Sequence, residues 1–223
     1  MLRVLCFGDS NTWGSATVPR PDERYFADER WPGVAQADLG PQWRLIEEGL
    51  PGRTTVHDDP TEGAYMNGST YLLPCLRSHR PLDAVVIMLG TNDLKAKFSV
   101  PAYEIGSGIG VLLGIVERSE AGRGAGVPRT LVVCPPPLLT HTGAFPDYAE
   151  MLEGGYDKSL KLRPHYERVA KEAGAAFLAA GDHVVTSAYD GIHFDPDQQQ
   201  KLGTAIAAAL RPLLAGVPND ARA

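Results

Sequence analysis

The chain has 223 residues, 43% of them apolar and 22% charged, with a formal net charge of −6. This composition fits a globular protein with its own apolar core and excludes collagen-like, mucin-like and disordered classes. No stretch concentrates Lys and Arg into the footprint a nucleic-acid backbone requires, and no apolar run approaches the roughly 20 residues of a membrane span.

A chain of this length buries about 70% of its unfolded surface, so neither disulfides nor a structural metal is needed to hold it together. One domain over residues 1–215 is expected, with a frayed tail at 216–223. The segment from Met1 to Ser10 carries one basic residue and no small-residue cleavage site after its apolar part, which predicts a cytoplasmic protein. Cys6, Cys75 and Cys134 are odd in number and widely spaced, and read as free, packed thiols.

In chain order, short β-branched runs at residues 3–7, 44–48, 84–89, 130–134 and 176–178 predict strands. Between and after them, residues 31–39, 69–78, 101–119, 149–173 and 196–214 read as helices. This alternation is the pattern of an α/β protein with a five-stranded parallel sheet covered on both faces by helices. The last helix is the clearest. Asp195 can cap it, Pro196 suits its first turn, and Leu202, Ile206, Leu210 and Leu213 lay one apolar stripe along it. Residues 19–29 and 50–67 read as long loops over one end of the sheet, where functional segments concentrate.

Chemistry gathers at strand ends. In Phe7-Gly8-Asp9-Ser10 an apolar strand stops at a glycine and delivers a hydroxyl at its carboxyl end, where ligands bind in open α/β sheets. Ser10 is either a nucleophile or merely the cap of a following helix. As a nucleophile it needs a base, and Asp190-Gly191-Ile192-His193 offers one, since an i, i+3 turn brings a carboxylate beside the imidazole. The other histidines are weaker candidates. His57 precedes Asp58 and Asp59, but no second His or Cys follows at metal-ligand spacing, while His79, His141, His165 and His183 read as solvated side chains.

An acyl-transfer site must also stabilise an oxyanion. Asn92 in Gly90-Thr91-Asn92-Asp93 follows the third strand, and Gly52 in Gly49-Leu50-Pro51-Gly52 follows the second. If the strands run in flavodoxin-like order, 2-1-3-4-5, then the loops carrying Ser10, Gly52 and Asn92 meet around one pocket. No phosphate-binding P-loop and no GxSxG elbow is present, which disfavours the common α/β-hydrolase layout.

Taken as an ordered set, Gly8-Asp9-Ser10, Gly52, Gly90-Thr91-Asn92-Asp93 and Asp190-Gly191-Ile192-His193 resemble the blocks of the GDSL or SGNH hydrolase superfamily. Leu5 through Gly14, Glu47-Glu48-Gly49-Leu50, Arg53-Thr54-Thr55 and Ile87 through Asp93 are similar to its arylesterase and acyltransferase branch. Asn11 departs from the usual Leu of the first block, and Glu47 stands where many members carry Asn. The resemblance implies a serine esterase of three-layer fold acting on short-chain esters through Ser10, Asp190 and His193, with an oxyanion hole from Ser10, Gly52 and Asn92 and with neither cofactor nor metal. It also implies acyl transfer to alcohols in competition with water, and a homo-oligomer whose neighbouring subunits narrow the entrance. Trp13, Phe26 and Trp31 would line that entrance or else serve as plain core aromatics. The same residues are open to two other readings: a carbohydrate O-deacetylase or thioesterase, and a binding module that has lost activity.

Overall fold

A computed structural model of the chain describes residues 1–140 and 145–217. Strands β1 (Leu2–Gly8), β2 (Trp43–Gly49), β3 (Ala84–Met88), β4 (Arg129–Cys134) and β5 (Ala176–Ala179) form one sheet in the order β2-β1-β3-β4-β5. All four ladders are parallel. Gly8 pairs with both Gly49 and Met88, so β1, β2 and β3 end level with one another. The order is the one expected from the sequence, and it sends the three loops that follow these strands to the same edge.

The side chains of each strand alternate between two cores. Leu5 and Phe7 of β1, Val85 and Ile87 of β3, and Val132 of β4 pack with apolar residues of α3 (Gly68–His79), α4 (Ala102–Glu117) and α7 (Leu162–Glu172). Val4, Cys6, Val86 and Leu131 face the other way, against α2 (Trp31–Leu39) and α8 (Pro196–Leu213). Both faces are covered, which is why the central strands are continuous apolar runs rather than alternating ones. Leu202, Ile206 and Leu210 of α8 are fully buried, as the stripe predicted, and all three cysteines are buried free thiols.

Three expectations are corrected. The helix read over residues 149–173 is three pieces, α5 (Pro146–Met151), α6 (Gly155–Ser159) and α7, because Gly154 takes φ 69° and breaks the run. Asp195 stands at the N-cap position of α8 without capping it; its carboxylate accepts hydrogen bonds from Ser187 Oγ and Thr17 Oγ1 instead. A four-residue helix, α1 (Ser10–Trp13), follows β1 at once, and its cap is Asp9 rather than Ser10. His141 and the tail from residue 218 onward lie outside the described residues.

Candidate active site

The turn that carries Ser10 is shaped by two glycines and one carboxylate. A Cβ on Gly8 would lie 2.0 Å from Thr12 Oγ1 and 2.9 Å from Met88 O, so the chain can turn from β1 into α1 this tightly only without a side chain there. Asp9 accepts from Asn11 N at 3.0 Å, and Gly14 closes the helix in the left-handed region at φ 90°. Ser10 is thereby held at the first helical position, its side chain near the surface of an otherwise buried turn.

The loop before α8 brings a histidine to it across 183 positions of sequence. Ser10 Oγ and His193 Nε2 are 2.9 Å apart, and His193 Nδ1 and Asp190 Oδ2 are 2.6 Å apart. With the ring proton on Nδ1 donated to the carboxylate, Nε2 is left as the acceptor for the serine hydroxyl. The second oxygen of Asp190 accepts from the backbone N–H groups of Ile192 and His193 at 2.8 and 2.9 Å, and Gly191 supplies the left-handed residue, φ 75°, that the turn needs. Burial works to raise the Asp190 carboxyl, but the hydrogen bond and charge of His193 outweigh it, so Asp190 lies below the ordinary carboxylate value. Asn11 joins the two segments: its Nδ2 donates to Ile192 O at 3.3 Å. The residue that departs from the usual Leu therefore ties the Ser10 helix to the histidine loop.

The loops after β2 and β3 form the opposite side. Leu50-Pro51-Gly52-Arg53 is a tight turn closed by Arg53 N donating to Leu50 O, with Pro51 second and Gly52, φ 84°, third. That is the residue pattern of a type II turn. No backbone acceptor is paired with the Gly52 N–H among the described residues. Asn92 begins a short 3₁₀ turn at Asn92–Leu94 and donates one amide hydrogen to Arg53 O at 3.1 Å, and its second amide hydrogen has no partner among the described residues. Asp93, fully buried, accepts from Thr55 N and Thr55 Oγ1 and so binds the β3 loop to the β2 loop. Burial pushes the Asp93 carboxyl up despite those bonds.

Two other groups of residues carry metal-ligating side chains. His57, Asp58 and Asp59 go separate ways: His57 Nε2 lies 3.7 Å from Asp93, Asp58 accepts from Asn67, and Asp59 pairs with Lys97. Glu48, Cys75 and His79 do bring ligand atoms within 4.8 Å of one another. There, however, His79 is committed to Glu48 at 2.7 Å, and burial together with the Glu48 charge pushes the Cys75 thiol up to about 12. His79 is thus half-buried and paired, not a solvated histidine, and His165 packs edge-on against Tyr103, whereas His183 is exposed as expected. Of the three aromatics, Trp31 is wholly buried core, Phe26 is exposed, and Trp13 lies under the Arg24 guanidinium. Glu47 receives Arg30 through two hydrogen bonds.

Residues 6–201 match the GDSL-like Lipase/Acylhydrolase family. The chain belongs to this family. No curated protein matches it. Among solved structures, the M. smegmatis aryl esterase is 43% identical with a TM-score of 0.90, covering 96% of this chain and 100% of its own. A carbohydrate acetylesterase from Sinorhizobium meliloti is 44% identical with a TM-score of 0.89 over the same shares, and a putative arylesterase from Agrobacterium tumefaciens is 39% identical at 0.86, again over 96% and 100%. This GDSL-like chain is a carboxylic ester hydrolase of the arylesterase branch. No helix among its described residues is long and apolar enough to cross a membrane.

The sequence reading named Ser10, Gly52, Asn92, Asp190 and His193, but gave no part to the side chains of Arg53 and Asp93 or to the tether at Asn11. The available signal was Arg53-Thr54-Thr55 directly after a Pro-Gly turn, a polar triplet at a strand end where a core would be apolar.

Proposed function

We propose that the enzyme hydrolyses short-chain, acetyl-type esters through an acyl-enzyme on Ser10. Ser10 Oγ attacks the ester carbonyl while His193 Nε2 takes its proton, and Asp190 holds the imidazole and stabilises its charged form. His193 then returns the proton to the leaving alcohol. Water, activated by the same nitrogen, releases the acid and frees the serine. An alcohol in place of water gives acyl transfer. The oxyanion that forms twice in this cycle is held by the backbone N–H groups of Ser10 and Gly52 and by the Asn92 amide, each lost donor costing on the order of 3 kcal/mol.

The observation that carries this reading is the unbroken chain Ser10 Oγ, His193 Nε2, His193 Nδ1, Asp190 Oδ2, with links of 2.9 and 2.6 Å. A second reading, a carbohydrate O-deacetylase, uses the same steps and is favoured by the 44% identity to a carbohydrate acetylesterase. In either case the working protein is proposed to be a homo-oligomer, as the resemblance implies.

The test is hydrolysis of aryl acetates, acetylated sugars and acetyl thioesters by the parent and by Ser10→Ala, with an alcohol present and absent. The expected result is loss of roughly 10⁵-fold or more in kcat on every ester, with an unchanged circular dichroism spectrum. Turnover that survives Ser10→Ala would contradict the mechanism. The ranking of acetylated sugars against aryl acetates decides between the two substrate readings.

A further inference from the structure

Arg53 lies directly beneath the turns that carry Ser10, Gly52 and Asn92, and three separate parts of the residue are engaged. Its backbone N–H closes the Pro51-Gly52 turn on Leu50 O, at 3.1 Å. Its carbonyl accepts the Asn92 amide at 3.1 Å. Its side chain runs back under the sheet edge, where Nη1 donates to Gly8 O at 2.8 Å and to Glu48 O at 2.5 Å. Gly8 is the last residue of β1 and Glu48 the next-to-last of its parallel neighbour β2, so Nη1 joins the ends of the two strands, where Gly8 O also accepts from Leu50 N at 3.1 Å.

A guanidinium in this place is costly unless its charge is met. Arg53 is 3% exposed, and among the described residues no carboxylate forms an ion pair with it and its Nε has no hydrogen-bond partner. Aromatic faces take the place of an anion: the guanidinium carbon is 4.2 Å from the centroid of Phe7 and 5.4 Å from that of Tyr71. Phe7 is itself the β1 residue two before Asp9. Both bonds come from Nη1, and a lysine ammonium could bridge two carbonyls, but it lacks the planar, rigid group that lies flat on the Phe7 ring and fixes the direction of those bonds.

We infer that Arg53 is the positioning residue of the oxyanion site, fixing the end of the nucleophile strand, the Gly52 turn and the Asn92 amide as one rigid unit. The inference rests on the proposed roles of Ser10, Gly52 and Asn92. Oxyanion donors work only when they are already in place as charge develops, so a small displacement of two of them at once is felt in the chemical step rather than in ground-state binding. The buried charge also lies close enough to hold down the Asp9 carboxyl, which burial otherwise raises.

The experiment measures kcat and KM on an aryl acetate for Arg53→Lys, Asn92→Ala and the double variant, below the melting temperature of each. Arg53→Lys is expected to lose about 10²-fold in kcat with KM within about twofold of the parent, as for loss of one oxyanion donor. Because Arg53 acts partly through Asn92 and partly through the Gly52 turn, the double variant loses more than about 10²-fold but clearly less than the 10⁴-fold of two independent effects. A parent-like kcat for Arg53→Lys, a fall expressed only in KM, or fully multiplicative losses would each overturn the inference. Should Arg53→Lys fail to fold, Tyr71→Leu, at an exposed position, strips one aromatic face from the guanidinium and lowers kcat several-fold with KM held; an unchanged kcat would then overturn it. Ser10→Ala separates this outcome from failure of the wider reading: if it retains turnover, the assignment of the site itself is wrong.

Discussion

The two sides of the site are built differently. On the histidine side the Asp190 and His193 pair comes from one four-residue turn, whose carboxylate caps its own loop through two backbone N–H groups as well as meeting the imidazole. On the side proposed to hold the oxyanion the ties are long-range. Gly52 and Asn92 are forty positions apart, and hydrogen bonds of Arg53, Thr55 and Asp93 join the loops that carry them. A local turn tolerates drift in the rest of the molecule, because its partners move with it. A long-range cluster depends on the sheet edge holding its loops together.

Variants on the two sides sharpen that contrast, beginning with the largest expected loss. Asp190→Asn keeps the size of the side chain and can keep a bond to His193, but it removes the charge that holds Nδ1–H and stabilises the imidazolium; kcat should fall by about 10⁴-fold. A loss below tenfold would mean that Asp190 only shapes its loop. Asn92→Ala removes one oxyanion donor and, with it, the tie to Arg53 O, so kcat should fall about 10²-fold and KM little. If KM alone changes, Asn92 binds substrate without serving the transition state.

The smallest effect concerns stability and pH. Burial is the main cause that pushes the Asp9 carboxyl from 3.8 up to about 6, against the pull of the Asn11 N–H and the His193 and Arg53 charges. A folded-state value above the unfolded one means that the native protein binds a proton more tightly than the unfolded chain does. Its contribution to stability is therefore complete below about 4 and is lost as the pH rises through about 6. Asp9→Asn removes this dependence while keeping the acceptor for Asn11 N. The melting temperature of Asp9→Asn minus that of the parent should climb between those pH values and then level off; a constant difference would show that Asp9 does not titrate there.

How much of this was legible in the sequence follows the same division. The parallel sheet could be anticipated because apolar runs and helical stretches alternate, its strand order only by assuming the flavodoxin-like arrangement, and α8 because its stripe, its proline and its length agree. The Asp190 and His193 pair was legible because three residues of spacing already bring the two side chains together. Residues such as Arg53 and Asp93 were not, since a buried charge is stable only through partners that sequence distance hides, here 45 positions to Gly8 and 38 to Thr55. Asp195 was misread as a helix cap for the same reason: Thr17, 178 positions away, competes for its carboxylate. The break at Gly154 was missed although the pair Gly154-Gly155 is itself a turn signal inside the run.

The central claim is that His193 and Asp190 make the Ser10 hydroxyl reactive, and covalent labelling tests it most directly. Incubation with an alkyl fluorophosphonate followed by peptide mass spectrometry should give one adduct per chain, on Ser10, formed with the loss of esterase activity and slowed by orders of magnitude in His193→Ala. Full inactivation with the label on another residue, or equal labelling of Ser10 in His193→Ala, would contradict it.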